Sequence, residues 1–154
     1  MPEFIEKARD IYQYEHFVCD SGGSLCEIVE PDNAQDPVLA CLAANTVLLY
    51  IEGTPAHARM LVERFRRNPK PMYYQPAFLD AKWAEYKALE GVGDDAVDPD
   101  GFAAWGFEQL LHHRIPLYEA IAGHYGYTMK MEEVPAIRDE ADFIDAISAK
   151  IDAK

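Results

Sequence analysis

Thr46-Val47-Leu48-Leu49-Tyr50-Ile51 is followed at once by Glu52-Gly53-Thr54-Pro55. The first stretch is apolar at every position but its first, the pattern of a strand buried on both faces in a parallel sheet. The second is a helix start: Thr54 suits the cap and Pro55 the first helical position. A strand running directly into a helix is the unit from which parallel α/β sheets are built.

Working outward, the same alternation recurs. Downstream, the helix opened by Pro55 extends to about Asn68, with Met60, Leu61 and Phe65 expected inside. Pro69, Pro71 and Pro76 then force an extended stretch. Phe78 to Leu89 is helical, and Gly91 to Asp100 is an acidic, glycine-bearing loop. Asp98-Pro99 opens another helix, which Pro116 is expected to break, placing Arg114-Ile115 at the interruption. A new helix from Pro116 ends near Gly126. Tyr127 to Val134 is expected as a strand ended by Pro135, and Asp139 to Ile151 as a closing amphipathic helix on Phe143, Ile144, Ile147 and Ile151.

Upstream, residues 2–14 carry a helical stripe of Phe4, Ile5, Ala8, Ile11 and Tyr12. His16-Phe17-Val18-Cys19 is expected as a buried strand leading into the turn Asp20-Ser21-Gly22-Gly23-Ser24. Leu25 to Val29 continues from the turn, and a polar loop leads to a short helix opened by Pro37. The whole is expected to be one α/β domain over residues 1–154: three layers, with a mainly parallel sheet of about three to four strands between flanking helices.

The net charge of −13 on 154 residues repels phosphate backbones and speaks against general nucleic-acid binding. The longest apolar run, Val47 to Ile51, is too short to span a bilayer. Met1 to Glu6 lacks the basic start and apolar core of a signal peptide, so the expectation is a cytoplasmic protein. Cys19, Cys26 and Cys41 form no C-x-x-C pair, are expected as reduced structural thiols, and have no partner ligands at zinc spacing.

Three groups of residues can carry chemistry. The turn Asp20 to Ser24 sits at the carboxyl end of an expected strand, where open α/β sheets bind ligands. Its glycines allow close backbone approach, and Asp20 orients a nucleophile, holds a metal-bound water, or simply caps the turn. Arg59, Arg64, Arg66, Arg67 and Lys70 cluster in a strongly acidic chain. They either grip phosphate oxygens or complement a helix C-terminus. Tyr73 and Tyr74 close over a ligand or pack on the core. His112 and His113, adjacent on a helix, do not chelate together and suit structural roles, whereas Arg114 beside Pro116 either reaches into a cleft or is itself structural.

In this order, the elements resemble the shikimate-kinase-like branch of the P-loop kinases. The resemblance rests on the glycine turn Asp20 to Ser24, the apolar strand Thr46 to Ile51, the arginines from Arg64 to Lys70, Arg114-Ile115-Pro116-Leu117-Tyr118, and the final strand, proline loop and helix. It implies an acceptor site lined by Gly22 and Gly23, with Ser24 expected beside them as a substrate-binding residue and Asp20 as the catalytic one. It also implies an anionic acceptor held by Arg114, phosphates met by Arg64, Arg66 or Arg67, and Pro135 beside the adenine. Residues 70–112 are longer than the matching family segment, which points away from shikimate as acceptor. The motif G-x-x-x-x-G-K-S/T is absent, and with it the backbone cradle and lysine that hold nucleotide phosphates.

The expectation is therefore an incomplete kinase-like fold. It is the C-terminal acceptor and lid part of an ATPase, inactive alone, for which ATP and Mg2+ are cofactors only with a phosphate-loop half. The strands at 16–19 and 46–51 would flank an empty central slot, closed either by pairing with each other or by a partner, that N-terminal half or a second copy. The alternative is a non-catalytic interaction domain that binds a partner through an exposed sheet edge.

Overall fold

The computed structural model describes residues 2–14, 16–20 and 22–154. Six helices and two strands are described: α1 (Pro2–Tyr12), α2 (Pro37–Asn45), β1 (Leu49–Glu52), α3 (Pro55–Arg67), α4 (Pro76–Glu90), α5 (Pro99–Tyr125), β2 (Tyr127–Lys130) and α6 (Glu140–Asp152). The class is α/β in the coarse sense: helix-rich, with one parallel sheet. That sheet has two strands among the described residues, not three or four. β1 pairs in parallel with β2, with Leu49 opposite Tyr127 and Ile51 opposite Met129.

The chain divides into two compact units. Met1–Glu52 and Pro116–Lys154 make the first, and Gly53–Ile115 the second. In the first, Cys26, Leu39 and Met129 are almost fully buried, and Ala8, Val29, Leu42 and Ala122 are buried too. Gly126 lets the end of α5 reach the sheet: a Cβ there would lie 2.8 Å from Leu48 Cβ and closer still to the Leu48 carbonyl oxygen. The first backbone bond of the ladder forms at that approach, from the Tyr127 N–H to the Leu48 carbonyl at 2.8 Å.

The second unit is held by rings. Phe65 of α3 stacks on Phe107 of α5 at 4.3 Å, and Trp83 and Tyr86 of α4 meet Phe102 of α5 edge-on at 4.8 and 5.5 Å. Leu110, in the same unit, is almost fully buried. The expected start of α3 forms as a reciprocal cap: the Thr54 N–H donates to His57 Nδ1 at 3.1 Å, and the His57 N–H donates to Thr54 Oγ1 at 3.3 Å.

Several expectations are corrected. His16-Phe17-Val18-Cys19 is irregular and exposed, not a buried strand, and pairs with neither β1 nor β2. β1 begins at Leu49 instead of Thr46. Thr46 ends α2, its N–H and hydroxyl both donating to the Leu42 carbonyl at 2.8 Å. β2 stops at Lys130, where the Lys130 N–H donates to Glu133 Oε1 at 2.8 Å and the chain coils into a 3-10 turn, Met131–Ala136. In α3, Val62 is the buried residue, while Met60 and Leu61 face outward. Pro116 does not break its helix. α5 runs through it, and only the hydrogen bond that residue 116 would give to the His112 carbonyl is lost. Among the thiols, Cys26 is buried, whereas Cys19 and Cys41 are exposed, and none of the three is joined in a disulfide among the described residues.

Candidate functional site in the first unit

The glycine turn, β1 and the C-terminal part of α5 converge. They line a cleft of about 270 Å³ with Asp20, Gly22, Gly23, Tyr50 and Tyr118 around it and Leu48, Leu49, Ile51 and Ile121 on its walls. Consecutive residues Leu48 to Ile51 all line it. Side chains alternate between faces along a strand, so the cleft runs beside the strand instead of over one face.

Local chemistry explains the turn. Gly22 has φ +69°, a left-handed conformation that glycine adopts without strain. Its N–H donates to Asp20 Oδ1 at 2.9 Å, so the aspartate caps the turn. Ser21, part of the expected motif, lies outside the described residues. The Gly23 carbonyl is held twice, by the Tyr118 hydroxyl at 2.8 Å and by Cys26 Sγ at 3.2 Å. Ser24 precedes a short 3-10 turn, Leu25–Glu27, without capping it by its side chain. The turn therefore shows a carbonyl to the interior and gives one of its N–H groups to Asp20.

Tyr50 and Tyr118 meet with ring centroids 5.6 Å apart. Burial holds the Tyr50 hydroxyl above the ordinary tyrosine range, and the carboxylates of Glu119 and then Glu52 push it further the same way. The cleft lining itself carries one charged side chain, Asp20, and no lysine or arginine among the described residues. That donor set does not fit a nucleotide triphosphate. Among the described residues no cluster of three or more His, Cys, Asp or Glu side chains is arranged to hold a metal ion.

The remaining expected site residues lie elsewhere. Arg64, Arg66 and Arg67 occupy the last turn of α3 in the second unit, where cations complement the helix dipole. Arg66 is engaged, with Glu108 at 2.8 Å and Glu63 at 3.6 Å. Arg64 and Arg67 have no ion-pair partner among the described residues. Arg114 is half-buried on α5 in the second unit and acts on the Tyr74 hydroxyl, which burial raises and Arg114 lowers. Tyr74 packs against Phe78 and Phe102 at 6.0 and 6.3 Å, whereas Tyr73 is exposed. His113 leans on the Phe78 ring at 5.0 Å. Pro135 is exposed in the 3-10 turn after β2.

Tyr50, Cys26 and Ile121 were not singled out from the sequence as site residues. Cys26 carried a signal, lying three residues beyond a glycine whose carbonyl it reaches. Tyr118 stood within the proline-containing motif on α5. No protein-family model, no curated protein and no solved structure matches the chain. No helix among the described residues is long and apolar enough to cross a membrane.

Proposed function

We propose that the chain is the acceptor-site and lid portion of an ATP-dependent, kinase-like ATPase of the cytoplasm, working with a half that supplies the phosphate loop. One observation carries the reading. Residues from three segments of the resemblance line a single cleft: Asp20, Gly22 and Gly23 of the glycine turn, Leu48 to Ile51 of the apolar strand, and Tyr118 of the proline-containing motif. Gly22 and Gly23 then line the acceptor, and Asp20 holds their turn. Its second carboxylate oxygen, without a hydrogen-bond partner among the described residues, is the atom that would orient an acceptor hydroxyl. In the second unit, taken by itself, Arg64 and Arg67 are the cations proposed for phosphates. Phosphoryl transfer depends on positioning and charge stabilisation. This chain's lining supplies no cradle for the γ-phosphate, so no step is assigned to it alone.

The test is ATP turnover by the purified 154-residue chain. The expected result is none above background. Turnover abolished by Asp20→Asn would overturn the assignment of an incomplete half.

A second reading, a non-catalytic interaction domain, is favoured by the open side of β1. The coding sequence upstream separates the two: a phosphate loop there supports the first reading, and its absence the second.

A further inference from the structure

β1 has one strand neighbour among the described residues. In a parallel ladder the N–H and C=O of a residue point to the same side, and successive residues alternate. Leu48 gives its carbonyl to Tyr127, so Leu48, Tyr50 and Glu52 address β2. Leu49 and Ile51 therefore turn their backbone groups the other way, into the cleft. Their N–H and C=O groups have no hydrogen-bond partner among the described residues. Unpaired edge groups beside apolar walls are a template for another strand.

One further observation describes what fits. Around Tyr50, Asp20 lines the cleft while Glu52 and Glu119 are close enough to act on the tyrosine hydroxyl. This rim is acidic on a chain whose net charge is already −13. A second copy of the chain would bring more negative charge to that rim, whereas a strand bearing a cation complements it.

We infer that the cleft beside β1 receives an extended, apolar strand from a different polypeptide, hydrogen-bonded to Leu49 and Ile51 and carrying a basic residue at the Asp20–Glu52–Glu119 rim. The occupant rests on the proposed reading of the chain as an incomplete half. Its test involves no nucleotide, so either can fail alone.

The probe is a capped peptide of alternating valine and threonine ending in arginine. It is compared with the same peptide ending in glutamate and with one N-methylated at alternate amides. Amide NMR of the chain reads the site, and peptide fluorescence reads the affinity. Saturable shifts are expected at Leu49, Ile51, Gly22 and Gly23 with the arginine peptide. Weaker binding is expected of the glutamate peptide, and none of the N-methylated one. Glu119→Gln, at an exposed position that leaves the sheet intact, is expected to weaken the arginine peptide about twofold to fivefold at low salt, the scale of a single surface ion pair. Three outcomes overturn the inference: equal binding of the N-methylated peptide, absence of shifts at Leu49 and Ile51 at saturating peptide, and a concentration-dependent homodimer by light scattering that protects those two amides.

Discussion

Gly126 lies against Leu48 so closely that no side chain fits between them. This contact sets the register at which the end of α5 delivers β2 to β1. Gly126→Ala drives a methyl group into the Leu48 carbonyl and Cβ. The expected loss is about 1–3 kcal/mol or more, as for other overpacked sites. Gly123→Ala, three residues earlier on α5 and facing open space, serves as the control. It is expected to stabilise by up to about 1 kcal/mol, the helix preference of alanine over glycine. Urea unfolding of the two variants checks both signs, and equal effects would remove the steric argument.

Tyr118→Phe deletes the hydroxyl that holds the Gly23 carbonyl and leaves Cys26 Sγ as its remaining donor. Removal of one such bond costs about 0.5–1.5 kcal/mol. The amides of Gly22 and Gly23 should exchange faster with solvent, while those of the second unit stay unchanged. Hydrogen exchange followed residue by residue makes the comparison, and unaltered protection at the turn would show that Tyr118 does not hold it.

Stability is expected to fall on the acid side. The Asp36 carboxyl is held below its ordinary value of 3.8 chiefly by the Leu39 N–H, then by Glu30 and Val38, against the opposing effect of burial. Asp142 is lowered by the Arg138 side chain and then its N–H, Glu133 by Lys150 and then the Lys130 N–H, and Asp94 by Lys87 and Trp83. Each folded-state value lies below the unfolded one. The stabilisation is therefore complete above the ordinary carboxylate range and disappears as pH drops through the lowered values. Urea midpoints should be flat from neutral pH to about pH 5 and decline below about pH 4. Asp36→Asn, which cannot ionise, should start lower and decline less steeply. A parallel decline in both proteins would show that Asp36 does not contribute.

The helices were legible in the sequence because their ends are marked locally. Asp36-Pro37, Thr54-Pro55 and Asp139 set three starts, and Gly91, at φ +68°, ends α4. The parallel class was legible from Leu49-Tyr50-Ile51 next to a helix start. Strand number was not, because a run such as His16 to Cys19 becomes a strand only if it pairs with a neighbour, and that depends on distant residues. The Pro116 break failed for the opposite reason. Proline removes one helical bond, while the helix formers around it, from Leu110 to Ala122, retain the rest. Of the site, the glycine turn was visible from its composition. Tyr50 and Ile121 were not, because a residue on an apolar run shows no sign of lining a cleft until the fold opens one beside it.

The arginines at the end of α3 divide into two kinds. Arg66 is bound to Glu108 and Glu63, whereas Arg64 and Arg67 have no ion-pair partner among the described residues. A guanidinium already paired with carboxylates must give up those contacts before it can take a phosphate oxygen, and an unpaired one need not. Inorganic phosphate titrated at low ionic strength is therefore expected to move the side-chain NMR signals of Arg64 and Arg67 first and those of Arg66 little. Glu108→Gln removes the closer of the two carboxylates and should bring Arg66 into the response. The effect should shrink as salt rises, since the groups are exposed and the Debye length falls to about 10 Å at 0.1 M. If Arg66 responds equally in both proteins, its pairing with Glu108 is not what separates the three. If none of the three signals moves at high phosphate, the turn of basic residues only complements the dipole of its own helix, and the lid role proposed for it is lost.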